Sequence, residues 1–192
     1  KLKNIIYIYC KCEDDIVNKL QFQELCKNQY VILDGATGSN LQKKGMPSGV
    51  CPEEWILSHP QALIELQREY AAAGSHNVYT PTFTSNRIKL SEYGMYDRME
   101  EIIHKLVGLS KEAVQGKALI AGDITMTGRQ LAPIGDLDFE ELVEIYKEQI
   151  TYLCAAGVDL LVIETMMSLQ ETRAALIAAK ECCDLPVMTT LT

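Results

Sequence analysis

The 192-residue chain carries 18 Lys+Arg against 26 Asp+Glu, a formal net charge of −8, with 47% hydrophobic and 23% charged residues. That composition is too apolar for a disordered chain, and the negative sign argues against nucleic acid or an anionic membrane surface as partner. The longest apolar run, Ile5 to Cys10, is far short of the ~18–20 residues that cross a bilayer and lacks the flanks of a secretory signal, so the expectation is one soluble cytoplasmic domain without a membrane partner.

Residues 1–30 are charged and rich in Asn and Gln. They read as an N-terminal extension in which Ile16, Leu20 and Leu25 mark a helix over Asp14 to Cys26, placed to cover the bottom of a sheet. The start at Lys1 rather than Met suggests a fragment or a processed beginning.

From residue 31 short apolar runs alternate with segments of helical period. Val31-Ile32-Leu33 ends in Asp34-Gly35, His76-Asn77-Val78-Tyr79 in Thr80-Pro81-Thr82, and Ala118 to Ala121 in Gly122-Asp123. Leu160 to Ile163 ends in Glu164-Thr165, and Pro186-Val187-Met188 runs into Thr189-Thr190. Continuous rather than alternating apolar runs mark strands buried on both faces, as in parallel sheets. Between them, Ile102, Ile103, Leu106, Ser110 and Val114 form one helical stripe. Phe139, Leu142, Val143, Tyr146, Ile150 and Leu153 form another. Gly74 and Gly157 stand where each helix must reverse into a strand, and the stretch Ala73–Thr82 aligns without a gap with Ala156–Thr165. Repeated βα units predict right-handed crossovers. Five strands fit either a complete doubly wound sheet or a (β/α)₈ barrel cut off after its fifth strand.

Seven cysteines at irregular spacing argue for reduced thiols, mostly small buried hydrophobes, rather than a disulfide framework. His59, His76 and His104 read as structural, and Trp55 as packing the first helix onto the sheet. Asp136, Asp138, Glu140 and Glu141 read as a helix N-terminus, and Met166-Met167 as either pocket lining or core.

Function in parallel βα folds collects at the C-terminal ends of strands, and here those ends carry Asp34, Asp123 and Glu164. Each could instead cap a helix or pair with a cation. The first loop, Asp34-Gly35-Ala36-Thr37-Gly38-Ser39, lets backbone N–H groups approach a ligand. It lacks the Gly-Lys-Ser/Thr ending of a P-loop and the third glycine of a dinucleotide fingerprint, which weighs against a nucleotide-binding domain. An amino acid suits it better, with amides for the carboxylate and Asp or Glu for the ammonium.

Asp34 to Gln42, Pro52-Glu53-Glu54-Trp55, His59-Pro60, Glu69-Tyr70 and Ala73-Gly74 resemble the opening of the homocysteine S-methyltransferase family. So do Thr80-Pro81-Thr82-Phe83, Asn86-Arg87, Ala121-Gly122-Asp123 and Ile163-Glu164-Thr165-Met166. The motifs run in order from Val31 to Thr192 and are most similar to the homocysteine-binding module of the cobalamin-dependent methionine synthase branch; Ser39 stands where the family usually has Thr. The resemblance implies an α/β fold, a (β/α)₈ TIM barrel truncated after about the fifth strand, with residues 31–192 as the partial barrel. It implies methyl transfer to a zinc-activated homocysteine thiolate, giving methionine, with methylcobalamin on another domain as donor and S-methylmethionine or betaine as the donors of other branches. The partners it implies are homocysteine and the cobalamin- and folate-binding domains of a complete protein.

By the same resemblance Asp34 and Glu164 hold the amino-acid end of homocysteine, the amides of Gly35 and Ala36 meet its carboxylate, and Thr82, Thr84 and Asp123 line the pocket. The family's zinc cysteines belong to its sixth and eighth strands, so the zinc ligands are expected outside this chain and no residue here is assigned as a metal ligand or as catalytic. Cys51 is close to the first loop but not at a metal position, and Cys182-Cys183 falls at a helix end on the bottom face, read as partial burial and chance adjacency. A non-catalytic amino-acid-binding or assembly module that has lost the metal half is the alternative. The fragment alone is expected to be inactive and to aggregate or dimerise through unpaired edges.

Overall fold

A computed structural model describes residues 18–192; the first part of the helix expected from Asp14 lies outside the described residues. Helix α1 is Lys19–Asn28. It opens on a reciprocal cap in which Asn18 Oδ1 accepts the Gln21 N–H and Gln21 Oε1 accepts the Asn18 N–H, both at 2.9 Å. Then follow α2 (Gly38–Lys43), α3 (Pro52–Ser58), α4 (Pro60–Ala73), β1 (Asn77–Tyr79), α5 (Arg87–Glu92), α6 (Met99–Val114) and β2 (Leu119–Ile124). The chain ends through α7 (Phe139–Ala156), β3 (Leu160–Met166), α8 (Leu169–Cys182) and β4 (Val187–Leu191). Among the described residues no helix is long and apolar enough to cross a membrane.

The four strands form one parallel sheet in the order β1-β2-β3-β4, with Val78 opposite Ile120, Gly122 opposite Leu161 and Val162 opposite Met188. Sequential neighbours joined by helices are the strand order a barrel wall has, whereas a doubly wound sheet reverses its strand order at a switch point. Both helical stripes are present as read. Every residue of the first, from Ile102 to Val114, is buried; the second is buried except at Phe139, which stays partly exposed. Gly74 and Gly157 take left-handed conformations (φ 101° and 78°) that end α4 and α7, and in each case the next residue's N–H bonds back to the helix, Ser75 to Tyr70 O and Val158 to Leu153 O.

The expected first strand is a correction. Val31–Leu33 forms no strand. His76 N donates to Ile32 O at 2.8 Å, while the return bond from Ile32 N goes to the His76 ring, Nδ1, at 3.0 Å. The next free amide of β1, Tyr79 N, donates to the Asp34 carboxylate at 3.0 Å. Side chains thus replace main-chain partners along this edge, and no regular ladder forms.

Pleating assigns the two faces different tasks. Val78, Ile120, Ile124, Leu161 and Ile163 point outward into the large core shared with the long helices. Leu119, Ala121, Leu160 and Val162 point inward and pack with Phe22 of α1, flanked by Leu25, Tyr79 and Met188. Helix α1 therefore lies against the lower inner face, with Lys19 Nζ 3.2 Å from Asp184 Oδ1 in the loop beneath β4. The reading of the cysteines needs a second correction. Of the five described, only Cys51 is buried; Cys26 is exposed, and Cys154, Cys182 and Cys183 are half-buried, because they sit at helix ends where neighbouring elements do not close over them.

Candidate functional site

Two residues beyond the apolar inner layer, the same pleat turns polar. Asp123 follows Ala121 on β2, Glu164 follows Val162 on β3, and Asp34 leans in from the first loop through its bond to Tyr79 N. Asp123 is 5% exposed, with Oδ1 buried and without a hydrogen-bond partner among the described residues; Glu164 is half-buried. The three carboxyls share one field. Burial pushes Asp34 up to about 7, with Glu164 adding repulsion and the Tyr79 N–H opposing both. Burial first, then Glu164 and Asp34, raises Asp123 well above the ordinary carboxylate range; burial raises Glu164 as well. The Tyr79 phenol is raised by burial and by all three acids. Together these groups form an acidic cluster at the C-terminal end of the sheet, where a bound cation would relieve both desolvation and mutual repulsion.

Threonines hold the main chain that bears the acids. Thr82 Oγ1 donates to Asp123 O at 2.8 Å, Thr80 Oγ1 to Ala121 O at 3.2 Å, and Asp123 N to Thr80 Oγ1 at 3.1 Å. Thr125 Oγ1 donates to Glu164 O at 2.9 Å, and Thr165 N to Thr190 Oγ1 at 2.8 Å. That last bond secures Thr165 at φ 55°, a left-handed conformation disfavoured for a β-branched residue, at the bulge between Ile163 and Met166. Thr80, Thr125 and Thr190 went unread at the sequence level. Their signal is threonine clustered after each apolar run, visible in Thr80-Pro81-Thr82 and Thr189-Thr190.

Gly35 and Ala36, directly after Asp34, are exposed. The loop is pinned from behind: Ala36 O accepts from Tyr70 OH at 2.9 Å and from Asn40 Nδ2 at 2.8 Å. Tyr70 packs so closely that a Cβ on Gly35 would lie 2.9 Å from its ring, so a larger residue there would push the Tyr70 side chain aside. Other residues fall elsewhere. Thr82 is fully buried, its hydroxyl committed to the main chain at Asp123. Thr84 Oγ1 instead donates at 2.6 Å to Glu53 Oε1, a buried carboxylate that also takes Ser85 Oγ and Cys51 Sγ, each at 3.3 Å. Met166 is core and Met167 is 72% exposed, so neither reads as pocket lining.

With this geometry in place, the chain can be set beside known proteins. The family model for homocysteine S-methyltransferase matches residues 31–192, and the chain belongs to that family. It is 30% identical over 157 residues to betaine–homocysteine S-methyltransferase 1 of Danio rerio, covering 80% of this chain and 38% of that protein. It is 29% identical over 171 residues to S-methylmethionine–homocysteine S-methyltransferase BHMT2 of Pongo abelii, covering 88% and 45%. The chain thus spans less than half the length of these relatives. The fold is that of the homocysteine methyltransferase MmuM from Escherichia coli: its oxidized form matches with TM-score 0.75 at 19% identity over 88% of this chain and 64% of that one, and its metallated form with TM-score 0.74.

Proposed function

We propose that this chain is the amino-acid-binding half of a homocysteine S-methyltransferase, which adds a methyl group to the sulfur of homocysteine to give methionine, and that its four-stranded wall is the first part of an eight-stranded barrel. The observation that carries the reading is the convergence of Asp34, Asp123 and Glu164 on one polar rim. Asp34 and Glu164 receive the substrate ammonium, Asp123 and Thr82 support them from below, and the exposed amides of Gly35 and Ala36 face the substrate carboxylate. An ammonium entering this field favours the ionised carboxylates, so binding releases a proton from Asp34 at neutral pH. Thr84, turned to Glu53, contributes through the loop it anchors.

The relatives' chemistry sets what else the reading needs. One solved relative has a metallated form, yet among the described residues no group of three or more His, Cys, Asp or Glu is placed to hold a metal ion. The zinc ligands implied by the family resemblance belong to the remainder of the complete protein. Methylcobalamin on a separate domain is the donor implied by the sequence motifs; betaine and S-methylmethionine are the donors in the relatives' names. A cytoplasmic setting, supported by five free cysteines, belongs to the same proposal.

Calorimetric titration tests the binding claim. Homocysteine and methionine should bind, their N-acetyl derivatives should not, and Asp34→Asn or Glu164→Gln should each weaken binding at least ~10-fold, the loss of one charged contact. Equal affinity for the acetylated and free amino acids would overturn the assignment. Mixing the chain with the zinc-bearing C-terminal part of a family member, with each donor in turn, then tests methyl transfer; binding without transfer in every mixture would make it a binding module.

A further inference from the structure

At the C-terminal end of the sheet two threonine pairs are built alike. In Thr82-Phe83-Thr84 the first hydroxyl donates to Asp123 O at 2.8 Å and the second to Glu53 Oε1 at 2.6 Å. In Thr125-Met126-Thr127 the first donates to Glu164 O and the second to Glu171 Oε1, both at 2.9 Å. Each pair joins the carbonyl of an acidic residue on the next strand to a glutamate in the first turn of a helix, Glu53 of α3 and Glu171 of α8. Both glutamates are enclosed, at 2% and 6% exposure, and neutral donors satisfy them. Ser85 Oγ and Cys51 Sγ join Thr84 at Glu53; Thr127 N at 2.7 Å and Tyr146 OH at 2.9 Å join the Thr127 hydroxyl at Glu171. Tyr146 OH is also 3.2 Å from Thr125 O, so α7 ties the two ends of the second pair together.

We propose that Glu53 and Glu171 are positioning residues, which through these threonine pairs fix the main chain at Asp123 and Glu164 and so the spacing of the acids. That role rests on the function proposed above, in which those acids receive the substrate ammonium. The need for a brace is local. Pairing between β1 and β2 ends at Tyr79–Ala121, and pairing between β2 and β3 at Ile124–Ile163. Asp123 O and Glu164 O lie just past those points, and there a hydroxyl supplies the donor that a strand N–H would otherwise give. A hydroxyl holds a carbonyl only as firmly as its own loop is held, and the second threonine of each pair anchors the loop. Its acceptor is a carboxylate, which makes the bond stronger than a neutral one. Enclosing a carboxylate is costly, and several converging donors keep each of these in one place.

The test uses the whole chain. Glu171→Ala removes every acceptor and Glu171→Gln keeps one; Glu53→Ala and Glu53→Gln repeat the comparison. In carbon NMR spectra of the unliganded chain, Glu171→Ala should shift the Glu164 main-chain carbonyl more than that of Asp123, Glu53→Ala should do the reverse, and each glutamine variant should return toward the parent. In calorimetry each alanine variant should bind homocysteine about 3-fold or more weakly, the scale of one lost hydrogen bond, and each glutamine variant within ~2-fold of the parent. Carbonyls that do not move, equal shifts at both carbonyls in every variant, or glutamine variants as weak as the alanine ones would each overturn the proposal. A parent chain that binds no homocysteine would refute the function instead, and the carbonyl shifts would still decide whether the braces hold the acids. Circular dichroism checks the fold; if the alanine variants misfold, Thr84→Val and Thr127→Val, which cut the same hydroxyl bonds and leave the glutamates in place, decide by the same two readouts.

Discussion

Asp34 links the local structure of the first loop to the chemistry proposed for the pocket. Its carboxylate accepts the amide that a neighbouring strand would otherwise take, and burial beside Glu164 moves it up to about 7. A carboxyl whose folded value lies above its ordinary 3.8 stabilises the fold fully below pH ~4 and loses that contribution as pH rises through 7. Three units correspond to at most ~4 kcal/mol, and contact with solvent at the rim reduces the expected effect to ~1–2 kcal/mol. Asp34→Asn keeps an acceptor for Tyr79 N and removes the charge. It should therefore match the parent below pH ~4 and exceed it by ~1–2 kcal/mol at pH 8 in urea titrations, while binding homocysteine more weakly. A variant that is less stable than the parent at pH 8 would mean that Asp34 is not held against its own ionisation. The sequence placed Asp34, Asp123 and Glu164 at equivalent strand ends, because apolar runs mark where strands stop. It could not place the threonines or separate Thr82 from Thr84. Two residues apart in one loop, these bond to Asp123 O and to Glu53, and which partner each meets depends on strand register and on where α3 packs.

Elements with continuous burial were readable, and those that depend on a partner were less so. Strand β2 is buried at all six positions, so its run of apolar residues is unbroken in the sequence. Val31–Leu33 carries the same pattern but is half-exposed or exposed, with side chains making the bonds a strand would make. Helix α1 is the reverse case. Little in its charged sequence marks it as part of the domain, yet Phe22, 6% exposed, fills the lower inner face against Leu119, Ala121, Leu160 and Val162. Phe22→Ala in a core typically costs ~3–5 kcal/mol, but a short helix can undock before the whole fold is lost, so the global cost is limited to what α1 contributes by docking. The expected outcome is a ~2–3 kcal/mol loss in urea denaturation, with rapid hydrogen exchange confined to α1. Leu20→Ala, at a position 76% exposed, should change stability by less than ~0.5 kcal/mol. Equal effects from the two substitutions would show that α1 does not seal the inner face.

At the scale of the molecule, the sheet is finished on one side and open on the other. The outer edge of β1 is occupied by the Ile32 carbonyl and the Asp34 carboxylate, whereas among the described residues β4 pairs only with β3. Residues Thr189–Leu191 are exposed, Leu191 at 57%. A strand with a free row of amides and carbonyls and an exposed apolar side chain is a template for another chain. Natural proteins blunt such edges with lysine, and β4 has none. The chain alone should therefore self-associate, its mass by light scattering rising with concentration. Thr189→Lys combined with Leu191→Lys should keep it monomeric at ~10-fold higher concentration, since charges of like sign on paired edges repel. Thr190 is left intact because its hydroxyl holds Thr165 N beside Glu164, so the variant should bind homocysteine as the parent does. Association that survives both lysines would move the contact to another surface, with the exposed inner-rim residues Ile32 and Leu33 the next to test. If the lysines abolish self-association and also abolish methyl transfer in the mixture with a relative's C-terminal part, the edge that drives self-association is the one on which the complete barrel closes.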